Sequence, residues 1–276
     1  MKTLGSWLLS VCFLSLILCR LVVVIVPPVY AQSPTAQPTS SQSTDAQLNS
    51  LRNQYRTQLE VYQTDERDFS IARDQYNQLQ TLTSLEDAVK STQKVLLSRD
   101  DVLITYTKMM QITFSQSTGI QLDLKNGELK FFDSILSDLN KNHDEAGLAT
   151  SRDTVEQVAV DFSPISSELQ SAISESQLLM SYGKVQALFD KTVVTRDDIK
   201  THVLAQQTDA LKLSEKQRAF VQIDDTVTMV DSELKAVLNS FTNPSTYNNT
   251  QPTENLNQAY AGISRTLSYL GEVLNN

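Results

Sequence analysis

The chain has 276 residues, 40% of them apolar, and sets 23 Lys and Arg against 32 Asp and Glu for a formal net charge of −9. An acidic balance without a basic stripe speaks against nucleic acid or an anionic lipid surface as a partner. Both cysteines, Cys12 and Cys19, lie in an apolar N-terminal run, so the remainder has no disulfide framework, thiol nucleophile or cysteine metal site.

Lys2 precedes an apolar run from Trp7 to Val26, followed by Pro27-Pro28 and Val29-Tyr30-Ala31. This is the layout of a secretory signal, residues 1–31, with small residues at −3 and −1 and cleavage expected after Ala31. The run is also long enough to span a bilayer, so an uncleaved anchor is the rival reading. Arg20 interrupts it, which favours the signal. The leader carries Lys2 and Arg20 and no acid, so a chain beginning at Gln32 keeps 21 of the 23 basic residues against all 32 acids, a net of −11. Residues 32–44 (QSPTAQPTSSQST) contain two prolines and no large apolar side chain, and read as a disordered tether.

From residue 45 to residue 276 the chain reads as one all-helical domain. Between Thr39 and Asn243 the only proline is Pro164, and the only glycines are Gly119, Gly127, Gly147 and Gly183. A β-rich chain of that length needs many more turn residues. The first helix is expected from Asp45 to about Leu82, with Tyr55, Tyr62, Phe69 and Tyr76 recurring every seventh residue. That period belongs to a packing seam, although a ladder stacking on a ligand has the same spacing. Thr83 or Ser84 can cap a second helix, or the first can continue with a kink. There Val89, Leu96, Leu103 and Met110 repeat every seven, and Arg99 falls on the same side as Tyr106. A snorkelling Arg99 paired with Asp100 is the plain reading, against a buried charge serving a ligand.

Gln116–Gly119 reads as a stop. The third helix, firm over Leu129, Phe132, Leu136 and Leu139, is expected to end in the polar run Asn140–Gly147. Asp138, Asn140 and Asn142 match the first three ligand positions of an EF-hand loop. His143 stands where Gly is required and Ala149 where the bidentate acid belongs, so calcium is rejected.

A fourth helix starts at Ser151 or Arg152, passes Pro164 as one kinked helix and ends near Val194. Thr195-Arg196-Asp197-Asp198 then looks like a capping box for a fifth helix running to Phe241. Its strong register, Phe220, Ile223, Val227, Val230, Leu234, Val237 and Phe241, is spaced 3-4-3-4-3-4. The earlier stripe through Gln206, Ala210, Leu213 and Gln217 slips by one step into that register. Asp224, Asp225 and Asp231 flank the seam and read as a solvated edge in preference to a metal or acid–base pair. Asn243-Pro244 stops the helix, and a polar loop with the sequon Asn248-Asn249-Thr250 follows. The sixth helix carries Leu256, Tyr260, Ile263, Leu267, Leu270 and Leu274 as its seam.

The fold class expected is all-α, an elongated up-and-down antiparallel bundle or coiled coil of five to six long helices. No catalytic, cofactor-binding or metal-binding residue is assigned, because phosphate loops, HExxH, nucleophile elbows and thiols are all missing from the sequence. His143 and His202 are the only histidines, and His202 has Ala205 and Gln206 where a second ligand would stand. In its signal, tether and heptad helices the chain resembles exported bacterial coiled-coil proteins. The leading expectation is an exported, non-enzymatic interaction or scaffold protein of the cell envelope or the exterior, with a protein partner. The alternative is an exported ligand-binding or sensory bundle, its pocket lined by Tyr55, Tyr62, Tyr76 or Tyr106. Membrane contact is expected only through an uncleaved Trp7–Val26, and short turns favour closure within one chain, a monomer.

Overall fold

A computed structural model describes residues 39–206, 210–242 and 251–275. The leader, the first part of the tether and the sequon therefore lie outside the described residues. Helices account for 95% of what is described, with no strand, in an up-and-down bundle whose consecutive helices pack on one another. The six are α1 (Thr39–Leu79), α2 (Leu82–Ser115), α3 (Leu122–Leu148), α4 (Arg152–Gln206), α5 (Ala210–Thr242) and α6 (Gln251–Asn275).

Several boundaries differ from the sequence reading, each for a local reason. Helix α1 begins at Thr39, so residues 39–44 are helix and not tether; Pro38 is the last breaker before it. It stops at Leu79, where Gln80 takes a left-handed φ of 49° and donates its N–H to the Tyr76 carbonyl. The cap of α2 is Thr81, not Thr83 or Ser84. Ser84 N donates to Thr81 Oγ1 at 3.2 Å, and Thr81 N donates back to Ser84 Oγ at 3.1 Å. Ser151 and Thr154 repeat that reciprocal pair at the start of α4.

Asn140–Gly147 is no break, because α3 runs through it to Leu148. The inward stripe is Phe132, Ile135, Leu139, Asn142, Ala146 and Ala149, all buried and spaced 3-4-3-4-3. Likewise α4 passes Val194 unbroken, with Pro164 inside it, and ends at Gln206. Thr195 back-bonds to the Lys191 carbonyl at 2.9 Å and caps nothing. The stripe continues as Tyr182, Val185, Phe189, Thr192, Arg196, Ile199 and Val203. Helix α5 consequently starts only at Ala210, and the slip in spacing, at Gln217-Phe220-Ile223, falls inside it.

The chain divides into two compact units, a division that cuts across α2, α3 and α4. The first contains the described residues up to Thr113 with Leu129–Ala172. In it Tyr55 meets Tyr106, Gln93 reaches the Ala146 and Gly147 carbonyls, and Asn142 reaches the Val158 carbonyl. Each pairing sets residues early in one helix against residues late in its neighbour, so four helical segments run alternately up and down. Val102–Thr107 of α2 is buried in an unbroken run, as befits a helix with neighbours on every side.

The second unit contains Phe114–Glu128 and Ile173–Asn276. One cluster joins Tyr182 and Phe189 of α4, Val230, Leu234 and Val237 of α5, and Leu256, Ala259 and Ile263 of α6. A second joins Val203, Phe220, Ile223, Leu270 and Val273. Advancing along α5 thus means retreating along α4 and α6, which makes an up-down-up three-helix section. Two glycines allow backbones to touch. Gly119 (φ 78°) lies against Gly183 so closely that a Cβ on either would overlap the other's backbone neighbourhood.

Candidate functional site

Four places gather polar or unpartnered groups, and the aromatic ladder leads to the first. Tyr62 and Phe69 are buried, while Tyr55 and Tyr76 are half-buried. Tyr55 and Tyr106 set their rings 6.0 Å apart at 46°. Burial pushes the Tyr106 hydroxyl up to about 12, with the nearby Tyr55 adding to it, and burial raises Tyr55 and Tyr62 as well. Tyr55 thus packs on Tyr106 of α2, and Tyr62 and Phe69 belong to the core.

Beside Tyr62 lies a charged centre. Arg99 does not snorkel: it is 5% exposed, and Asp100 and Asn142 are buried with it. Arg99 Nε donates to Asp100 Oδ1 at 2.8 Å, its Nη2 donates to Asn142 Oδ1 at 2.7 Å, and its guanidinium carbon sits 3.5 Å from the centre of the Phe162 ring. Asn142 Nδ2 in turn donates to the Val158 carbonyl at 3.2 Å. One guanidinium thereby ties α2 to α3 and α4. Burial raises the Asp100 carboxyl above its ordinary range even though Arg99 pulls it down. Asp100 Oδ2 has no hydrogen-bond partner. Such a buried, hydrogen-bonded centre makes register specific.

The calcium-like triplet ends here as well. Asp138, Asn140 and Asn142 stand on continuous helix, Asn140 donates to its own Leu136 carbonyl, and Asn142 points at Arg99. His143 is half-buried, 3.7 Å from Asp101, and His202 is exposed. Among the described residues no three His, Asp or Glu side chains gather as metal ligands.

The second place is a pair of acids in the second unit. Glu128 of α3 is 6% exposed, and its Oε1 has no hydrogen-bond partner. Burial, helped by the field of Glu175 on α4, pushes its carboxyl up to about 8, and burial also raises Glu175. Glu128 is therefore protonated at neutral pH.

At the third place Asp224 accepts from Arg196 Nη1 at 2.6 Å and from Lys200 Nζ at 2.8 Å. Burial works against its charge, but the hydrogen bonds from Lys200 and Arg196 prevail and hold the carboxyl below its usual range. Asp231 pairs with Lys235 at 2.6 Å and Asp225 is exposed, so the three aspartates do not converge.

The fourth is a surface on α6. The seam read from the sequence is split by the fold: Leu256, Ile263 and Leu270 are buried, whereas Tyr260, Leu267 and Leu274 are 59%, 44% and 55% exposed. The helix is rotated so that Ala259, Thr266 and Val273 complete the inward face. Gly262 permits this rotation. A Cβ there would run into Val230 Cγ2 and come within 3.0 Å of Met229 Cε. Near the far end of α6 lies a groove of about 370 Å³ lined by Lys216, Glu215, Glu272, Lys212 and Tyr269, charged in both senses. Sequence reasoning missed Asn142 as the partner of Arg99, and missed Glu128 and the exposed half of α6. The first two are polar residues at inward positions, and the third depends on which of two adjacent stripes the bundle selects. Compared with protein-family models, curated proteins and solved structures, the chain finds no match.

Proposed function

We propose that this chain is an exported, non-enzymatic helical bundle of the cell envelope or exterior that acts by binding protein through its surface. The observation that carries the reading is the exposed row Tyr260, Leu267 and Leu274, an apolar stripe at heptad spacing on a helix of an otherwise acidic chain. The signal-like leader supports export. The aromatic and charged residues that suggest chemistry in the sequence are engaged in packing: Arg99 by Asp100 and Asn142, Tyr106 by Tyr55, Asp224 by Arg196 and Lys200.

A photo-cross-linker placed at Leu267 of the chain in its own cells tests this, with Gln258 on the opposite exposed face as control. A protein adduct from position 267 and none from 258 is expected. Equal labelling at both, or none at either, removes the α6 surface as the working part. The intact mass of the chain in membrane, envelope and medium fractions tests export, and a species beginning at Gln32 is the expected form.

A further inference from the structure

Helix α6 carries two seams side by side. The inner one, Leu256, Ala259, Ile263, Thr266, Leu270 and Val273, is buried. The outer one lies one residue further on: Asn257, Tyr260, Ser264, Leu267, Gly271 and Leu274, spaced 3-4-3-4-3. Five of these six are exposed and Gly271 is half-exposed. Along this outer seam large apolar residues alternate with small or polar ones. It carries no charge. The charged residues of α6, Glu254, Arg265 and Glu272, fall on one line roughly a third of a turn away.

We propose that this outer seam pairs antiparallel with the same seam of a second copy of the chain. Tyr260, Leu267 and Leu274 of each copy then seat against Gly271, Ser264 and Asn257 of the other. Resting on the interaction reading above, this names the occupant of the surface.

Three arguments select a second copy. The alternation is self-complementary in the antiparallel sense only, because antiparallel seams oppose one heptad position to the other. Every large residue then meets a small or polar one. A parallel pair sets Leu267 on Leu267 and Gly271 on Gly271, which leaves gaps beside collisions. Charge is the second argument. A chain of net charge −9 repels its own copy, and an uncharged face is the one on which two copies approach without opposing like charges. Third, antiparallel helices oppose their dipoles favourably end to end. The seam from Asn257 to Leu274 is about 26 Å long at 1.5 Å per residue, shorter than a standard interface. The expected dissociation constant is therefore weak, on the order of 10 μM.

Sedimentation equilibrium of the native chain from 1 to 100 μM, a range set around that roughly estimated constant, tests the pairing. Gly271→Leu and Leu267→Glu are measured alongside. Nothing lies within 4 Å of a Cβ built at Gly271, so the substitution meets no clash at that atom. Unchanged helix content by circular dichroism verifies that the variant folds. The parent is expected to pass from monomer to dimer, with at least a tenfold loss of affinity in both variants. A second measurement reads orientation. In a background carrying Cys12→Ser and Cys19→Ser, chains with Ser264→Cys and chains with Leu267→Cys should form a mixed disulfide when combined. Each alone should form far less. A parent that stays monomeric throughout, a dimer untouched by Gly271→Leu, or disulfides between identical cysteines only, each overturns the proposal. If the parent is monomeric while the cross-linker at position 267 captures a different protein, self-pairing fails and the interaction reading stands.

Discussion

In the first unit Arg99 and Asn142 occupy positions where a heptad seam ordinarily places Leu. The α5 seam of the second unit is Phe220, Ile223, Val230, Leu234 and Val237, with no polar member. The two are specified differently. Arg99 fits one place only, since its guanidinium must find Asp100, Asn142 and the Phe162 ring together. A one-turn slip would strand a buried charge, at a cost of several kcal/mol. An apolar seam has no such veto, because Leu against Val tolerates many registers. There the register is fixed by shape: Gly262 is the point on α6 where Val230 and Met229 fit against bare backbone. Polar satisfaction sets the register at the Arg99 centre, and a missing side chain sets it where α6 meets α5.

The largest effect should come from breaking the charged centre. Arg99→Ala leaves Asp100 wholly buried without its cation and should cost about 3–5 kcal/mol, read as a fall in the urea midpoint. Replacing the whole set (Arg99→Met, Asp100→Leu, Asn142→Leu) should return stability to within about 2 kcal/mol of the parent, with broadened amide spectra as register loosens. If Arg99→Ala is silent, the centre contributes nothing to stability and the contrast collapses. Gly262→Ala tests the other side and should cost about 1–3 kcal/mol, because the new methyl must displace Val230.

A smaller effect, in the second unit, depends on pH. The folded chain holds the Glu128 proton up to about pH 8, whereas the unfolded chain releases it near the ordinary 4.5. The folded state thus binds more protons between those values, and stability falls as pH rises through that window. The expected loss is about 1–3 kcal/mol after allowing for screening. Glu128→Gln should flatten the melting temperature between pH 5 and pH 8, values that bracket roughly this window; an unchanged slope assigns it elsewhere. Asp224 acts in the opposite sense. Its lowered carboxyl stabilises above its ordinary value of 3.8, and that contribution disappears on further acidification. Smallest is Gly127→Ala. No atom lies within 4 Å of the added Cβ, and a gain of about 0.5–1 kcal/mol in thermal stability is expected from helix propensity alone.

The contrast also explains what could be read from the sequence. Where the seam is apolar, as from Phe220 to Phe241, spacing alone locates the helix and its buried face. Where inward positions are polar, spacing by hydrophobicity goes blind. Asn142 makes α3 look finished near residue 140, and Thr192 with Arg196 makes α4 look finished near Val194. Both helices continue because those side chains find partners that lie far off in sequence: Arg99 for Asn142, Asp224 for Arg196. The capping pattern at Thr195 misleads for the same reason. On α6 the period was legible and the phase was not. Two stripes one residue apart fit the same sequence, and the clearance at Gly262 decides between them.

Gly119 and Gly183 are far apart in sequence and touch through bare backbone. Neither can be repaired by altering the other, since any side chain at one meets main chain, which no substitution removes. In a saturation library the two positions should each reject every replacement, while Gly127 and Gly147 accept many. A pair of intolerant glycines of this kind is a contact that no covariation signal would reveal, because the only permitted state at both ends is the one already present.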